Sequence, residues 1–392
     1  MDNIGKGKIL LITGDNVCYN VLNDFAKLLS EELKKRNFDI DLQDISYVNE
    51  ELILKIKNSG YCAIIGFQTN LFTLKFSDDM YIGNMLDVPM YNILVDSPAS
   101  RLHYFEGNID KLTILYHDYE YLDFVNKYYP QRRTTFFPLG GKSLSERINW
   151  NDDRVYDCTF MGTYTDYREI LRKATSETPE YADIILAYFQ FLIDNPWYSH
   201  EKGVDLFLSR MNLELPAQTL LLMYGILYIS VRAVIAYYRE LTIKTFLDNG
   251  ITIDVFSHSW ERSPFANNPM IVIHDEVSYS ETIKYYARSK VSLNIFSWHK
   301  GSITERIANI MLNGAVCVSD ISSGLTSHFQ NDGDMIFFEL NNSVNVVPKI
   351  KKLITDDEYR VSIAKAGYEK ALKYHTWGDR ADRLIEMIST AK

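Results

Sequence analysis

The sequence is short of cysteine and has no surplus of positive charge, and each shortage argues against a class of protein. Four cysteines in 392 residues, Cys18, Cys62, Cys158 and Cys317, are widely spaced and form no C-x-x-C pair. That spacing speaks against a disulfide framework or a thiolate metal site. It reads instead as reduced thiols of a cytoplasmic protein, set in apolar strands or at a helix start. The 41 lysines and arginines are outnumbered by 51 aspartates and glutamates, for a net charge of −10, so no nucleic-acid partner held by general phosphate neutralisation is expected. Any anion site must be local. The opening MDNIGKGKILLIT lacks the charged, apolar and small-residue regions of a secretory signal, and no G-x-G-x-x-G follows the first strand, which weakens a dinucleotide reading. One run, 215–231, carries no charge, but it is short for a bilayer span and contains Pro216, Gly225 and Ser230. A buried helix is expected there, with peripheral membrane contact left open.

What is present is an alternation of apolar runs and helical stretches. Strands are expected at 8–13, 38–43, 61–67, 90–96, 111–118 and 133–138, each separated by enough chain for a crossover. That alternation predicts a doubly wound parallel α/β sheet. The Pro-, Gly- and Ser-rich segment 138–154 reads as a connection between domains. A second α/β domain follows, with strands near 155–162, 251–256, 270–274, 290–296, 315–319 and 335–338 and a purely helical insertion at about 179–248. The predicted domains are 1–145 and 146–375, with a final helix, 376–392, returning to the first. The insertion is also a candidate surface for homo-oligomer formation.

The stretch 289–320, SKVSLNIFSWHKGSITERIANIMLNGAVCVSD, reads as strand, loop, helix and strand. Ile303, Ile307, Ile310 and Met311 fall on one side of the helix, Arg306, Asn309 and Asn313 on the other, and Gly314 is placed to end it. Loop 297–302 then lies at the carboxyl ends of parallel strands, where open α/β sheets bind ligands. His299, Lys300 and Arg306 beside a helix N-terminus suit a diphosphate or sugar phosphate. The same residues also read as plain capping by Ser302 or Thr304, with Glu305 favouring the dipole. A second strand-to-helix turn is expected at Gly162, with Thr163 or Thr165 capping a helix that carries Arg168.

These segments resemble the GT-B glycosyltransferases, and specifically the glycosyltransferase group 1 family in its branch of spore-maturation-type and bacterial surface or protein glycosyltransferases. The resemblance is carried by YDCTFMGTYTDYR, by VSYSETIKYYARSKVSLNIFSWHKGSITERIANIMLNGAVCVSD and by AGYEKALKYHTWGDRADRLIEMI, which cover most of the second domain. NILVDSPASRLHYF and TFFPLG add a looser likeness in the first.

The resemblance implies two Rossmann-like domains facing a cleft. The second would bind a nucleotide sugar, a uridine diphosphate sugar, and the first a protein or cell-surface glycan acceptor. The implied donor-site residues are Gly162, Tyr164, Arg168, Ser257, Val277, Tyr279, His299, Lys300, Gly301, Ser302, Ile303, Thr304, Glu305, Arg306 and Asn309. Arg306, Lys300 and the N–H groups of Ile303 and Thr304 would meet the charge on the departing diphosphate, with no metal or other cofactor required. The D-x-D pattern of metal-dependent transferases at Asp39–Asp41 lies on a strand and reads as surface structure. Asn309 stands where the family commonly has a ribose-contacting glutamate. Asp96, with His103 after it, is the expected base of an inverting transfer. A nucleotide-sugar epimerase or hydrolase on the same scaffold, and a non-catalytic partner-binding scaffold, are the alternatives.

Overall fold

The computed structural model describes residues 7–13, 20–45, 48–78, 80–296 and 298–391. The chain divides into two compact units, Met1–Gly140 with Tyr374–Lys392, and Gly141–Lys373. The first break therefore falls a few residues before the expected boundary, between the paired glycines.

In the first unit the strands are β1 (Lys8–Ile12), β2 (Asp39–Gln43), β3 (Tyr61–Phe67), the short ribbon β4 (Lys75–Ser77) and β5 (Met80–Tyr81), then β6 (Met90–Leu94), β7 (Leu112–Tyr116) and β8 (Arg133–Phe136). All but the ribbon form one parallel sheet in the order β2-β1-β3-β6-β7-β8. Ile9, Leu10 and Leu11 are wholly buried, as a strand must be when helices cover both faces of a parallel sheet. The helix Trp377–Thr390 belongs to this unit. Its Trp377 ring lies 5.4 Å from Phe25 and 6.3 Å from Phe67, and Arg36 pairs with Asp382. Cys18 lies outside the described residues. Cys158 and Cys317 are buried free thiols and Cys62 is half-buried.

The second unit contains β9 (Tyr156–Phe160), β10 (Ile253–Phe256), β11 (Ile271–His274), β12 (Ser289–Asn294), β13 (Val316–Asp320) and β14 (Ile336–Phe338). They form a parallel sheet in the order β11-β10-β9-β12-β13-β14. Strand order reverses between β9 and β12, which sit side by side with Cys158 opposite Val291. At such a switch point successive crossovers diverge to opposite faces and leave a crevice outside the carboxyl ends of the strands.

Between β9 and β10 run the helices Tyr167–Glu177, Ala182–Asp194, His200–Arg210 and Ala217–Asp248. Asp166, rather than Thr163 or Thr165, caps the first of them by accepting from Arg168 N at 2.9 Å. Ala217–Asp248 is long and apolar enough to cross a bilayer by length and composition, and a little under half of its most apolar stretch is buried within the fold. Ser230 Oγ donates to Ile185 O at 2.9 Å and Tyr238 Oη to Ile193 O at 2.7 Å, fixing it to Ala182–Asp194 at two heights.

The insertion also holds a buried imidazole. His200 Nε2 donates to Tyr224 O at 2.9 Å, and its Nδ1 accepts from the Tyr188 hydroxyl at 3.0 Å. Burial pushes its pKa down to about 4, with the Tyr224 carbonyl opposing. Between the ordinary histidine value and about 4 the unfolded chain therefore binds a proton that the fold refuses. Stability is full above about pH 6.5 and falls with decreasing pH, by about 3 kcal/mol from this group. Urea midpoints measured from pH 7 to pH 4.5 should show that slope, and His200→Gln should flatten it.

Candidate functional site

Beyond the carboxyl end of β12, residues 298–304 lead into the helix Glu305–Leu312. Phe296 N donates to Asp320 Oδ1 at 2.7 Å, tying the turn to the end of β13. Lys300 and Asp320 are each 2% exposed, with Nζ and Oδ2 3.9 Å apart, so a buried ion pair sets the loop's depth. The Lys300 carbonyl accepts from Gly324 N and Ser323 Oγ, both at 2.8 Å. A β-carbon on Gly324 would stand 2.4 Å from Ser302 N and 2.5 Å from the Gly301 carbonyl carbon. Only glycine allows this backbone contact, which fixes the path of residues 300–302.

The helix start is built to leave donors unmet. Thr304 occupies the N-cap position without a side-chain cap bond, and its buried Oγ1 has no partner among the described residues. The Arg306 guanidinium lies 5.1 Å from the Phe296 ring centroid, and its buried Nη1 likewise has no partner there. Glu305 is raised above the usual carboxylate range by burial, against the pull of Arg306. Gly314 closes the helix region with φ of 75°, as expected.

The other polar side of this helix does something different from what its composition suggested. Asn309 is 1% exposed; its Oδ1 accepts from Lys142 N at 2.8 Å and its Nδ2 donates to Tyr279 Oη at 3.1 Å. One turn on, Asn313 accepts from Leu144 N at 2.8 Å and donates to Lys142 O at 2.9 Å. A carboxamide offers both a donor and an acceptor, so two of them four residues apart can hold an extended backbone as a neighbouring strand would. Asn309 is thus bonded on one side to the connection at 142–144 and on the other to Tyr279.

The remaining expected residues separate in the same way. The Gly162 carbonyl accepts from Trp260 Nε1 at 2.7 Å. Tyr164 is buried and donates to Glu240 Oε2 at 2.9 Å. Arg168 is held by Asp166 and Glu240. Ser257 is buried and bonds to Ser259 and Glu276, while Val277 packs on the core around Ile303 and Ile307. Those contacts use up the side chains of Arg168 and Ser257. The structure gathers Lys300, Gly301, Ser302, Ile303, Thr304, Glu305 and Arg306 into one turn, with the half-buried His299 ring 5.1 Å from Phe296.

Arg239 is a further arginine beside this turn that sequence reasoning did not single out. It projects from Ala217–Asp248 toward the carboxyl end of β9, with its guanidinium 5.9 Å from the Phe160 centroid and 5.7 Å from Trp298. Its periodicity belongs to a core helix, and the sole signal was the Arg239–Glu240 pair set between Tyr238 and Leu241. Burial and the charge of Arg306 push its pKa down to about 9, with Asp320 opposing.

In the first unit, Asp96 follows β6 and accepts at Oδ2 from Gln68 Nε2 at 3.2 Å and from Arg101 Nε and Nη2 at 3.2 and 3.1 Å. Gln68 Oε1 in turn accepts from the N–H groups of Val95 and Asp96. His103 Nε2 bonds to Asn70 Oδ1 at 3.0 Å, and burial, helped by Arg101, lowers its pKa. Both expected base residues are thus held by the 68–70 turn after β3, with Asp96 41% exposed on its side chain. Asp41 accepts from Tyr61 Oη at 2.5 Å, a structural use of the D-x-D segment. No group of three His, Cys, Asp or Glu side chains is placed to hold a metal among the described residues.

With this geometry established, the chain can be set beside known proteins. Residues 239–386, well under half of the sequence, match the family described as "Glycosyl transferase-like". No curated protein sequence matches it. Among solved structures it is similar to sucrose-phosphate synthase from Thermosynechococcus elongatus, at 8% identity and a TM-score of 0.56, over 98% of each chain. It is similar to Anabaena Alr3699/HepE in complex with UDP-glucose, at 11% identity and a TM-score of 0.55, over 98% of this chain and 100% of that one. An α-glucosyltransferase in complex with UDP and a 13-mer DNA containing an HMU base aligns at 14% identity and a TM-score of 0.54, over 98% of this chain and 100% of that one. The fold is that of the GT-B glycosyltransferases. The chain therefore has a span similar to the glycosyl transferase-like family on the GT-B fold, and that span opens at Arg239.

Proposed function

We propose that the protein is a glycosyltransferase that takes a nucleoside diphosphate sugar, a UDP-sugar, and moves the sugar to a protein or cell-surface glycan, as in the spore-maturation-type branch of the family. The observation that carries the reading is Arg306 at the head of the 305–312 helix, half-buried and with its Nη1 enclosed. It is an unmet guanidinium donor where strand order reverses, in a fold whose solved relatives include proteins holding UDP and UDP-glucose. Departure of the nucleotide builds negative charge on a phosphate oxygen. A preset guanidinium and helix N–H groups, shielded from water, stabilise that charge more in the transition state than in the ground state. In this reading protein cations meet the charge, and transfer runs without a metal. The net charge of −10 favours a protein or glycan acceptor over DNA.

Thermal unfolding in the presence of a nucleotide-sugar panel tests the donor. Ligand at a hundred times its Kd stabilises the fold by about 2.7 kcal/mol. A UDP-sugar should therefore raise the apparent Tm by several degrees while adenine and guanine analogues do not. If no nucleoside diphosphate shifts the transition, the reading fails.

A further inference from the structure

We propose that Arg239 and Arg306 form a two-arginine clamp for the donor's diphosphate, which makes the last helix of the insertion a wall of the donor site. The inference rests on the glycosyltransferase reading and adds a ligand that neither the sequence nor the expected motif residues supplied.

Arg239 has the environment of a residue awaiting an anion. Its Nε is buried with no partner among the described residues, and its Nη1 makes one long hydrogen bond, 3.4 Å, to the Thr163 carbonyl. A guanidinium enclosed for structural reasons is normally neutralised by a carboxylate. Here the nearby carboxylates are already taken. Glu240 accepts from Tyr164 Oη at 2.9 Å and from Arg168 Nη1 at 3.1 Å. Asp320 accepts from Phe296 N and faces Lys300. Burial depresses the pKa of Arg239 and Arg306, a second cation, adds its repulsion, while Asp320, already bonded to Phe296 N and facing Lys300, opposes the shift.

The two guanidiniums come from different elements. They share a ring-lined floor, with Arg239 near Phe160 and Trp298 and Arg306 near Phe296. Phe296 and Trp298 are themselves 4.9 Å apart. Beside them Thr304 Oγ1 is also buried and unmet. Two like charges that repel each other across this floor, each with an enclosed idle donor, cost stability until an anion meets them. A diphosphate fits that demand: it brings at least two negative charges, and its oxygens match the planar fork of arginine bidentately. Free pyrophosphate shares the chemistry, so the test must separate the nucleotide from the bare anion.

Calorimetry with UDP, uridine and pyrophosphate, on the wild type and on Arg239→Leu and Arg239→Lys, supplies that test, with the melting temperature of each ligand-free protein recorded alongside. Removal of a charge-assisted hydrogen-bonding partner should weaken UDP binding by about tenfold to a hundredfold in Arg239→Leu. Uridine, which has no phosphate, should bind as before, and Arg239→Lys should recover part of the loss. The ligand-free Arg239→Leu protein should melt at or above the wild-type temperature, because an uncompensated buried charge has been removed. UDP and pyrophosphate weakened together support the clamp, as does weakening of UDP alone. Unchanged UDP affinity in both variants overturns it, as does a lower ligand-free melting temperature with UDP and uridine weakened equally, the pattern of a structural arginine. Absence of UDP binding in the wild type is a separate failure, that of the glycosyltransferase reading on which the clamp depends.

Discussion

Asp96→Asn is expected to lower sugar transfer by about 10²- to 10⁴-fold, the usual contribution of a positioned general base, while UDP affinity stays at the wild-type value. The substitution is nearly isosteric. Its oxygen can still accept from Gln68 and Arg101, the two side chains that fix Asp96 at 3.1 to 3.2 Å, so the turn after β6 should hold. What disappears is the capacity to take a proton from an acceptor hydroxyl. Asp96 is suited to that task because its Oδ2 is anchored while a substantial part of the carboxylate faces solvent. The ion pair with Arg101 is half exposed on both sides and adds little stability, so melting should barely move. Single-turnover transfer with a bound donor gives the decisive number. A variant that transfers at the wild-type rate removes Asp96 from the chemistry.

Arg306→Ala should reduce kcat by about 10²- to 10³-fold, the cost of deleting one preset donor aimed at developing charge, and should also weaken UDP binding. Its Nη1 has no protein acceptor among the described residues, so deletion leaves no buried carbonyl or carboxylate stranded by that atom. The main structural loss is the contact with Phe296. The fold should therefore survive, which circular dichroism and the ligand-free melting curve will verify. Unchanged nucleotide affinity with unchanged kcat would take the donor site away from this helix.

The two arginines show where the sequence was legible and where it was not. Every strand of both main sheets was expected close to its observed position, because a parallel strand buried on both faces writes itself as an unbroken apolar run. KILLIT and YCAIIGF are the clearest of these runs. The ribbon β4–β5 was not anticipated: KFSDDMY has exposed residues throughout its first strand and no apolar face to announce it. Lys300 to Arg306 could be read together as one candidate turn because loop, helix start and flanking strands are contiguous in the chain. Arg239 is 67 residues earlier in the sequence than Arg306, on a helix whose periodicity reports only its packing against Ala182–Asp194. Proximity in space between such distant residues leaves no local trace. Asn309 shows the converse. Helical spacing placed it correctly beside Arg306, but spacing does not say what a polar face will meet, and here it meets the backbone of Lys142.

The position of the insertion also governs the order in which this protein can be made. β9 is a central strand, paired on one side with β10 and on the other with β12. Phe160 ends it, whereas its partners begin at Ile253 and Ser289. A chain synthesised at roughly 5 to 20 residues per second leaves β9 waiting on the order of ten seconds for its second neighbour. Meanwhile the helices between 167 and 248 can form from local contacts. During that interval YDCTF presents two open strand edges. The helical layer is then the first part of the second unit able to shield it, a nascent-chain chaperone carried within the same polypeptide.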